Sequence, residues 1–258
     1  MYETAEKKLL ASFRQKLISF VYRPSCCFCE QPFNPDGNAH DNAQPLVCMT
    51  CHENIFGNAM DHCYTCGALS HPLNPFVSRC SACRYWSPKF QRAFAIGNYQ
   101  STLRETILDM KRKSDDIRCF QLGQVIGQVI EKFDLEDEID HAIPVPTHWQ
   151  RRIGRRGLHI AGVISEGFSR MTRVPIVTNA LKCIRPTKKQ SKLRPNQRIK
   201  NVRGAFECKS KALRETNVLL IDDVMTSGAT INECARVLSS AGVKNVYVAV
   251  AARGTGIG

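Results

Sequence analysis

The chain has 258 residues, 43% of them hydrophobic, which suffices for one ordinary α/β domain and a small accessory module. Its formal net charge is +13, and the excess lies between His148 and Arg214, where eighteen Lys and Arg face only Glu166 and Glu207. A basic surface of this size attracts polyanions such as nucleic acids or phosphorylated metabolites, the alternative being a solvated basic face. Disordered, collagen-like and membrane-spanning classes do not fit this composition.

The N-terminal segment 1–22 is predicted to be an amphipathic helix, since apolar residues from Leu9 to Val21 recur at three- and four-residue steps. We expect it to pack on the body of the protein, a membrane-surface role being the weaker alternative. The charged start Glu3–Lys8 argues against a secretory signal, and the longest apolar runs are far too short to cross a bilayer. We therefore expect a cytoplasmic protein without membrane insertion.

Residues 23–90 form a second predicted module, rich in Cys, Pro, Asn, His and Gly and poor in periodic apolar segments. Such a stretch cannot form a large hydrophobic core, so it needs metal ions or disulfides to stabilise its fold. It contains four Cys-x-x-Cys pairs, each of which can point two thiolates at one tetrahedral ion. The pairs are Cys26 with Cys29, Cys48 with Cys51, Cys63 with Cys66, and Cys80 with Cys83.

The spacing of these pairs is close to that of a double zinc ribbon, and in a reducing compartment clustered cysteines more often hold metal than form disulfides. Four sulfurs around an ion leave no open coordination position, so we predict structural Zn²⁺ rather than a catalytic metal. One or two ions, interleaved pairing, and substitution of a ligand by Cys27 or a nearby histidine stay open. The isolated cysteines are interpreted as small buried residues or free thiols, namely Cys119, Cys183, Cys208 and Cys234.

Residues 91–258 alternate strand and helix patterns, which predicts a doubly wound α/β fold with a parallel sheet. The fully apolar run Val218–Ile221 is typical of a strand buried on both faces of such a sheet. Segment 185–200 is expected to be a polar, basic loop. The other predicted strands are 93–99, 139–146, one or two within 176–184, and 243–252, and the predicted helices lie near 104–110, 122–130, 151–171 and 228–240.

The strand Val218–Ile221 is expected to deliver Asp222 and Asp223 to the carboxyl edge of the sheet, where open α/β folds bind ligands. A small-residue segment follows and opens the next helix, so its backbone amides and the helix dipole favour an anion. Its residues are Thr226, Ser227, Gly228, Ala229 and Thr230. Two carboxylates beside a phosphate repel it unless ribose hydroxyls, or a magnesium ion with them, lie between. This pattern favours a ribose-phosphate site over a buried strand with a polar turn, and no Gly-x4-Gly-Lys loop supports a nucleotide hydrolase.

Over nearly its whole length the chain resembles the ComF family of competence-associated proteins, which join an N-terminal double zinc ribbon to a type I phosphoribosyltransferase domain. Segment 219–230 resembles the loop of such domains that binds phosphoribosyl pyrophosphate (PRPP). Further matching pieces are Tyr99 with Leu108–Lys111, the stretch Ile143–Pro146, and the basic loop ending near Asn201. The resemblance implies a parallel-sheet type I phosphoribosyltransferase fold and a role in DNA uptake during natural transformation, with the uptake machinery among its partners.

Carried over position by position, the resemblance implies that Asp222 and Asp223 hold the ribose hydroxyls and that segment 226–230 cradles the ribose phosphate. Segment 185–198 would be a mobile flap over the site. The catalytic residues implied in this way are Asp222, Asp223, Arg185 and Arg194. The residues implied to bind Mg²⁺-PRPP outside the 226–230 segment, including the turn that meets pyrophosphate, are Val145, Pro146, Arg155 and Arg156.

Two departures from the family pattern bear on function. After Gly157 the family usually continues Phe-Asn-Gln, whereas this chain has Leu158, His159 and Ile160, which puts polar contacts from those positions in doubt. Thr226 stands where purine-salvage relatives carry an acid, so purine salvage is not supported. We expect transfer of phosphoribose to an unidentified acceptor; the alternative is a non-catalytic PRPP sensor that binds single-stranded DNA through its basic window, with Trp149, Phe168 and Phe206 as stacking candidates.

Overall fold

The computed structural model describes residues 25–32, 46–56, 63–68, 80, 83, 86–148, 159–188 and 193–254. The predicted helix at 1–22 lies outside these residues, as do Trp149, Arg155 and Arg156. Within the described residues, no helix is both long enough and apolar enough to cross a membrane.

The α-helices of the described residues are α1 (Met49–Phe56), α2 (Ser101–Lys113), α3 (Asp116–Glu131), α4 (Ile160–Thr172), α5 (Pro195–Val202) and α6 (Ala229–Ser240). Short 3₁₀ turns occupy Glu136–Glu138 and Lys211–Leu213. The strands are β1 (Arg92–Asn98), β2 (His141–Pro144), β3 (Leu181–Cys183), β4 (Phe206–Cys208), β5 (Asn217–Met225) and β6 (Asn245–Arg253).

Four strands form a fully parallel sheet in the order β1-β6-β5-β2. Strands β3 and β4 form a separate two-stranded antiparallel sheet. The central strands β5 and β6 are apolar on both faces, so alternate residues enter two separate cores. Leu219 and Ile221 pack with α3 and α4 on one face, whereas Val218 and Leu220 pack with α6 on the other. Helices on both faces confirm the predicted doubly wound α/β sheet.

Three elements differ from the sequence-based prediction. The basic segment 185–200 was predicted to be a loop, which is wrong for its second half, because α5 begins at Pro195. Proline suits the first turn of a helix, where its missing amide hydrogen has no partner anyway. The predicted helix 151–171 is described from Ile160 onward, and strand structure in 176–184 is confined to β3 and one bridge from Ile176 to Ala142. Strand β5 runs on through both aspartates to Met225.

Candidate functional site

Asp222 and Asp223 lie near the carboxyl end of β5, the edge at which open parallel sheets bind ligands. Both are half-buried, in contrast to the fully buried residues Val218–Ile221 before them. One carboxylate oxygen of Asp222 accepts a hydrogen bond from the backbone amide of Asp223 at 2.9 Å. The strand therefore brings two consecutive aspartates to this edge of the sheet.

Lys111, in the last turn of α2, is the cationic partner of this carboxylate pair. Its ammonium nitrogen lies 2.5 Å from Oδ2 of Asp223. Burial alone would lower the pKa of Lys111, but attraction to Asp223, with Asp222 behind it, outweighs burial and raises that pKa. Lys111 was quoted in the family motif but not predicted as a site residue. The signal available was a run of three basic residues, Lys111–Lys113, at the end of an amphipathic helix.

The hydroxyl loop, defined as residues 226–230, connects β5 to α6. Gly228 is the residue before the helix and has φ of +72°, a left-handed conformation that glycine adopts without steric cost. The hydroxyl oxygen of Ser227 lies 3.5 Å from the backbone nitrogen of Ala229, at the limit of a hydrogen bond. The loop therefore opens a twelve-residue helix, whose N-terminal end attracts anions.

The segment after β2 lies beside the same strand end. The backbone amide of Val145 donates to the carbonyl of Ile221 at 2.9 Å, so Val145 directly adjoins Asp222. On its other side, the carbonyl of Val145 lies 3.1 Å from Nε2 of His159. His159 thus makes a polar contact at the position where the departure from the family pattern put one in doubt, and it links the start of α4 to the site.

The arginines of the basic segment 185–200 differ in what they contact. Arg198 of α5 lies 3.4 Å from the Thr226 hydroxyl through Nη1. Arg185 instead donates to the carbonyl of Arg203 at 2.6 Å, which ties the two ends of the segment together. Arg194 is exposed and directly precedes α5. The catalytic roles implied for Arg185 and Arg194 stay predictions, and Arg198 is the arginine of this segment that the structure brings to the loop.

The eight paired cysteines form two clusters, which we call cluster 1 and cluster 2. Cluster 1 consists of Cys26, Cys29, Cys48 and Cys51, and cluster 2 consists of Cys63, Cys66, Cys80 and Cys83. Within each cluster all four sulfurs lie within 4.8 Å of one another. The pairs therefore combine in chain order, and the interleaved alternative is not what the structure shows. Cys27 and His52 are not members of either cluster.

The sulfur spacing fits a tetrahedral ion. Individual S···S distances are 3.7 Å in cluster 1 and 3.4–3.7 Å in cluster 2. Zinc–sulfur bonds of about 2.3 Å give a tetrahedral edge of about 3.8 Å, whereas a disulfide bond is about 2.05 Å. Backbone amides also point at the sulfurs, with the amide of Cys80 lying 3.2 Å from Sγ of Cys63. Each cluster can therefore hold one structural zinc ion.

The pKa values of the thiols in cluster 2 also favour a bound cation. Hydrogen bonds from the Cys66 thiol and from nearby backbone amides lower the pKa of Cys63, whereas that contact and burial raise the pKa of Cys66. Burial and the neighbouring sulfurs raise the pKa of Cys83 to about 12. One thiolate is thus stable beside neighbours that resist ionisation, and only a bound cation lets all four ionise together.

Cluster 1 is linked by polar contacts to α2, the helix that carries Lys111, and to α3. The hydroxyl of Thr106 in α2 donates to the carbonyl of Phe28 at 3.1 Å. Arg118, nearly buried in α3, forms ion pairs with Glu30 next to cluster 1 and with Asp109 of α2. The cysteine module is therefore joined to the sheet domain by specific polar contacts.

Comparisons with known proteins place the site within a recognised domain. Residues 150–256, which include the hydroxyl loop, match the model of the phosphoribosyl transferase domain. Among solved structures, glutamine PRPP amidotransferase from Bacillus subtilis covers 51% of this chain and 25% of its own, with 17% identity and a TM-score of 0.34.

Three curated relatives extend beyond that domain. Competence protein F of Haemophilus influenzae is 26% identical over 221 residues, covering 82% of this chain and 92% of that protein. Competence protein ComFC of Bacillus subtilis is 22% identical over 232 residues, covering 86% and 91%. DNA utilization protein YhgH of Escherichia coli K12 is 27% identical over 175 residues, covering 66% and 75%. The first two matches are longer than the α/β region alone, so they include cysteine-rich sequence. Together with the domain match and the two cysteine clusters, they support a ComF-family protein.

Proposed function

We propose that the chain binds PRPP, as its magnesium complex, at the carboxyl edge of β5 and acts in DNA uptake during natural transformation. The observation that supports PRPP as the ligand is the placement of two adjacent carboxylates beside a hydroxyl loop that opens a helix. The names of two relatives, competence protein F and competence protein ComFC, support the cellular role.

The charges of the site explain why a ribose phosphate fits and a bare phosphate does not. Asp222 and Asp223 repel an anion, but as acceptors they suit the hydroxyl groups of a ribose. The loop that follows offers backbone amides, hydroxyls and the positive end of α6, which suit a phosphate. A ligand with vicinal hydroxyls at one end and a phosphate at the other matches both halves.

In the reaction we propose, the bond from the ribose C1 carbon to pyrophosphate breaks, and pyrophosphate leaves with the electron pair. An acceptor atom forms the new bond to C1, and its proton passes to the departing pyrophosphate. Lys111 lies at Asp223, beside the proposed ribose hydroxyls, and Arg198 lies at Thr226, where it supplies positive charge beside the ribose phosphate. Magnesium bound with PRPP would neutralise charge on the pyrophosphate. The carboxylates orient the sugar, and the site needs no covalent intermediate with the chain.

The α5 segment provides the means to exclude water during transfer. It lies against α6, where the backbone amide of Gly204 donates to Glu233 at 2.8 Å, and its Arg198 reaches the loop. The pKa of Glu233 is lowered because Arg236 donates two hydrogen bonds to it, so its carboxylate stays charged and holds this anchor. We propose that movement about this anchor opens and closes the site.

We expect a double Asp222→Asn/Asp223→Asn variant to lose measurable binding of PRPP in calorimetric titration with magnesium. Asparagine preserves size but replaces two charged acceptors, and hydrogen bonds to charged groups are worth about 1.5–3 kcal/mol each. Two such losses correspond to a rise in Kd of at least about a hundredfold.

Asp140→Asn is the matched control, because the Asp140 side chain accepts from the amide of Asn217 at the opposite, amino end of β5. We expect its Kd for PRPP to equal that of the wild type. Wild-type protein that binds no PRPP, or a double variant that binds it normally, would refute the proposed site. Release of pyrophosphate on addition of candidate acceptors would then separate an enzyme from a sensor.

Single-stranded DNA binding is a second candidate function, favoured by the exposure of the basic window. Ten of the basic side chains between His148 and Arg214 are exposed in the described residues, namely Arg170, Arg173, Lys182, Lys188, Arg194, Lys200, Arg203, Lys209, Lys211 and Arg214. The proposed stacking residues Phe168 and Phe206 are buried in the two cores, so they do not offer a surface to bases. Binding would therefore depend on phosphate contacts and would be strongly salt-dependent.

For this second function we predict that affinity for a single-stranded oligonucleotide falls as salt rises, with a slope of about −0.7 per phosphate contact. A Lys188→Gln/Lys200→Gln variant should flatten that slope by about 1.4 if both lysines contact phosphates. Lys132→Gln, directly after the end of α3 and outside the window His148–Arg214, should leave it unchanged. A slope near zero in the wild type would leave the basic window as a solvated surface.

A further inference from the structure

One buried arginine lies between cluster 2 and the hydroxyl loop. Arg253 ends β6 and is 0% exposed. Its Nε donates to the carbonyl of Cys66, a member of cluster 2, at 3.1 Å. Its Nη1 donates to the carbonyl of Met225 at 2.8 Å and also to that of Thr226. A single planar guanidinium therefore holds the backbone of both sites at once.

The charge of Arg253 is balanced by sulfur rather than by carboxylate. Among the described residues no Asp or Glu forms an ion pair with it, and the thiols of Cys66, Cys80 and Cys83 are its ionisable neighbours. Arginine stays protonated in proteins, so the fully buried guanidinium of Arg253 carries its positive charge. Four thiolates around a divalent ion carry two net negative charges, which supply the counter-charge that a buried guanidinium needs.

The contacts of Arg253 fix the direction of amides in the loop. In a trans peptide the carbonyl and the following amide point to opposite sides. Because Arg253 holds the carbonyls of Met225 and Thr226, the amides of Thr226 and Ser227 point away from the guanidinium. These are the first two amides of the hydroxyl loop, so Arg253 sets donors where the proposed ribose phosphate would lie.

Trp86 makes a second connection between the same two sites. Its backbone amide donates to the carbonyl of Cys83 at 3.0 Å, and its ring packs on cluster 2. The far edge of the indole covers Gly228, where an added Cβ would lie 2.5 Å from Cη2 of Trp86. The space that glycine leaves at this position is therefore filled by a side chain from the cysteine module.

We propose that cluster 2 with its ion sets the shape of the hydroxyl loop through Arg253 and Trp86 as positioning residues. Ion binding at cluster 2 and PRPP binding at the loop then strengthen each other, since coupling between two sites is reciprocal. This inference rests on the proposed function, because PRPP binding is the measurement that reports on the shape of the loop. Arg253 gives the cysteine module a part in ligand binding beyond its structural one.

The test compares full-length wild type with Arg253→Lys by zinc quantification and by calorimetric titration with PRPP and magnesium. Lysine keeps the charge beside cluster 2 but has one ammonium group, whereas the guanidinium of Arg253 donates to four carbonyls. We expect the variant to retain its zinc while its Kd for PRPP rises about tenfold, a typical coupling. Arg214→Lys, an exposed arginine whose side chain packs on Gly242 before the start of β6, is the matched control and should change the Kd less than twofold.

The outcomes separate the two ideas. Wild-type protein that binds no PRPP refutes the proposed function, and the inference with it. Normal PRPP binding by a zinc-loaded Arg253→Lys protein refutes the inference alone. If Arg253→Lys does not fold, zinc transfer from wild type to a zinc-selective chelator decides instead. PRPP should slow the release of one zinc ion about tenfold, and equal slowing of both ions, or of neither, contradicts the coupling.

Discussion

Replacing Gly167 by alanine is expected to lower the free energy of unfolding by about 3 kcal/mol, the upper end of the usual cost of overpacking a core. Gly167 lies in α4 where that helix crosses α3, and a Cβ there would lie 1.9 Å from the carbonyl oxygen of Phe120. Gly123 in α3 is its counterpart, with an added Cβ 2.0 Å from the carbonyl of Ile164. Both obstacles are backbone, so neither side chain rotation nor local repacking relieves them.

Urea unfolding followed by circular dichroism measures this effect, with Gly162→Ala as the control. Gly162 is in the same helix, and its added Cβ would meet side-chain atoms of His159, the nearest at 2.9 Å, rather than backbone. Because alanine favours helix over glycine by up to about 1 kcal/mol, this control should be neutral or stabilising. Equal stability of Gly167→Ala and wild type would mean that the two helices do not pack backbone to backbone.

This helix crossing illustrates what the sequence could predict of the fold and what it could not. The periodicity of α3 and the apolar run of β5 are local signals, and both elements were predicted from them. That Gly123 faces α4 and Gly167 faces α3 depends on how two distant helices cross, which no local pattern specifies. The helix α5 was missed because its polar residues and Pro195 resemble a loop, although Ile199 and Val202 recur at a three-residue step.

The candidate site also has one part that the sequence could predict and another that it could not. Asp222, Asp223 and the hydroxyl loop occupy one continuous segment, so the strand, turn and helix signals sufficed to assemble them. Lys111 and Arg253 reach that segment from positions far away in the chain, and Arg253 contacts Cys66 across 187 residues. A lone basic residue at the end of an apolar strand carries no signal of its partners. The cysteine clusters were predictable because each Cys-x-x-Cys pair is itself a local turn.

Loss of zinc is the second large effect that we expect. A Cys66→Ser variant should hold one zinc ion per chain instead of two, since serine cannot supply the fourth thiolate of cluster 2. An ion bound at a thousand times its Kd stabilises the folded state by about 4 kcal/mol, and forfeiting it should lower the unfolding free energy by that order.

Cys208→Ser is the control for this prediction, because Cys208 lies half-buried in β4 and outside both clusters. It should keep two zinc ions and near-normal stability. The contrast follows from where the stabilisation arises. Cys66 is fully buried among sulfurs whose repulsion only a cation removes, whereas the sheet domain around Cys208 has two apolar cores of its own. A Cys66→Ser protein that retains both ions, or a Cys208→Ser protein that loses one, would show that the ligands are assigned wrongly.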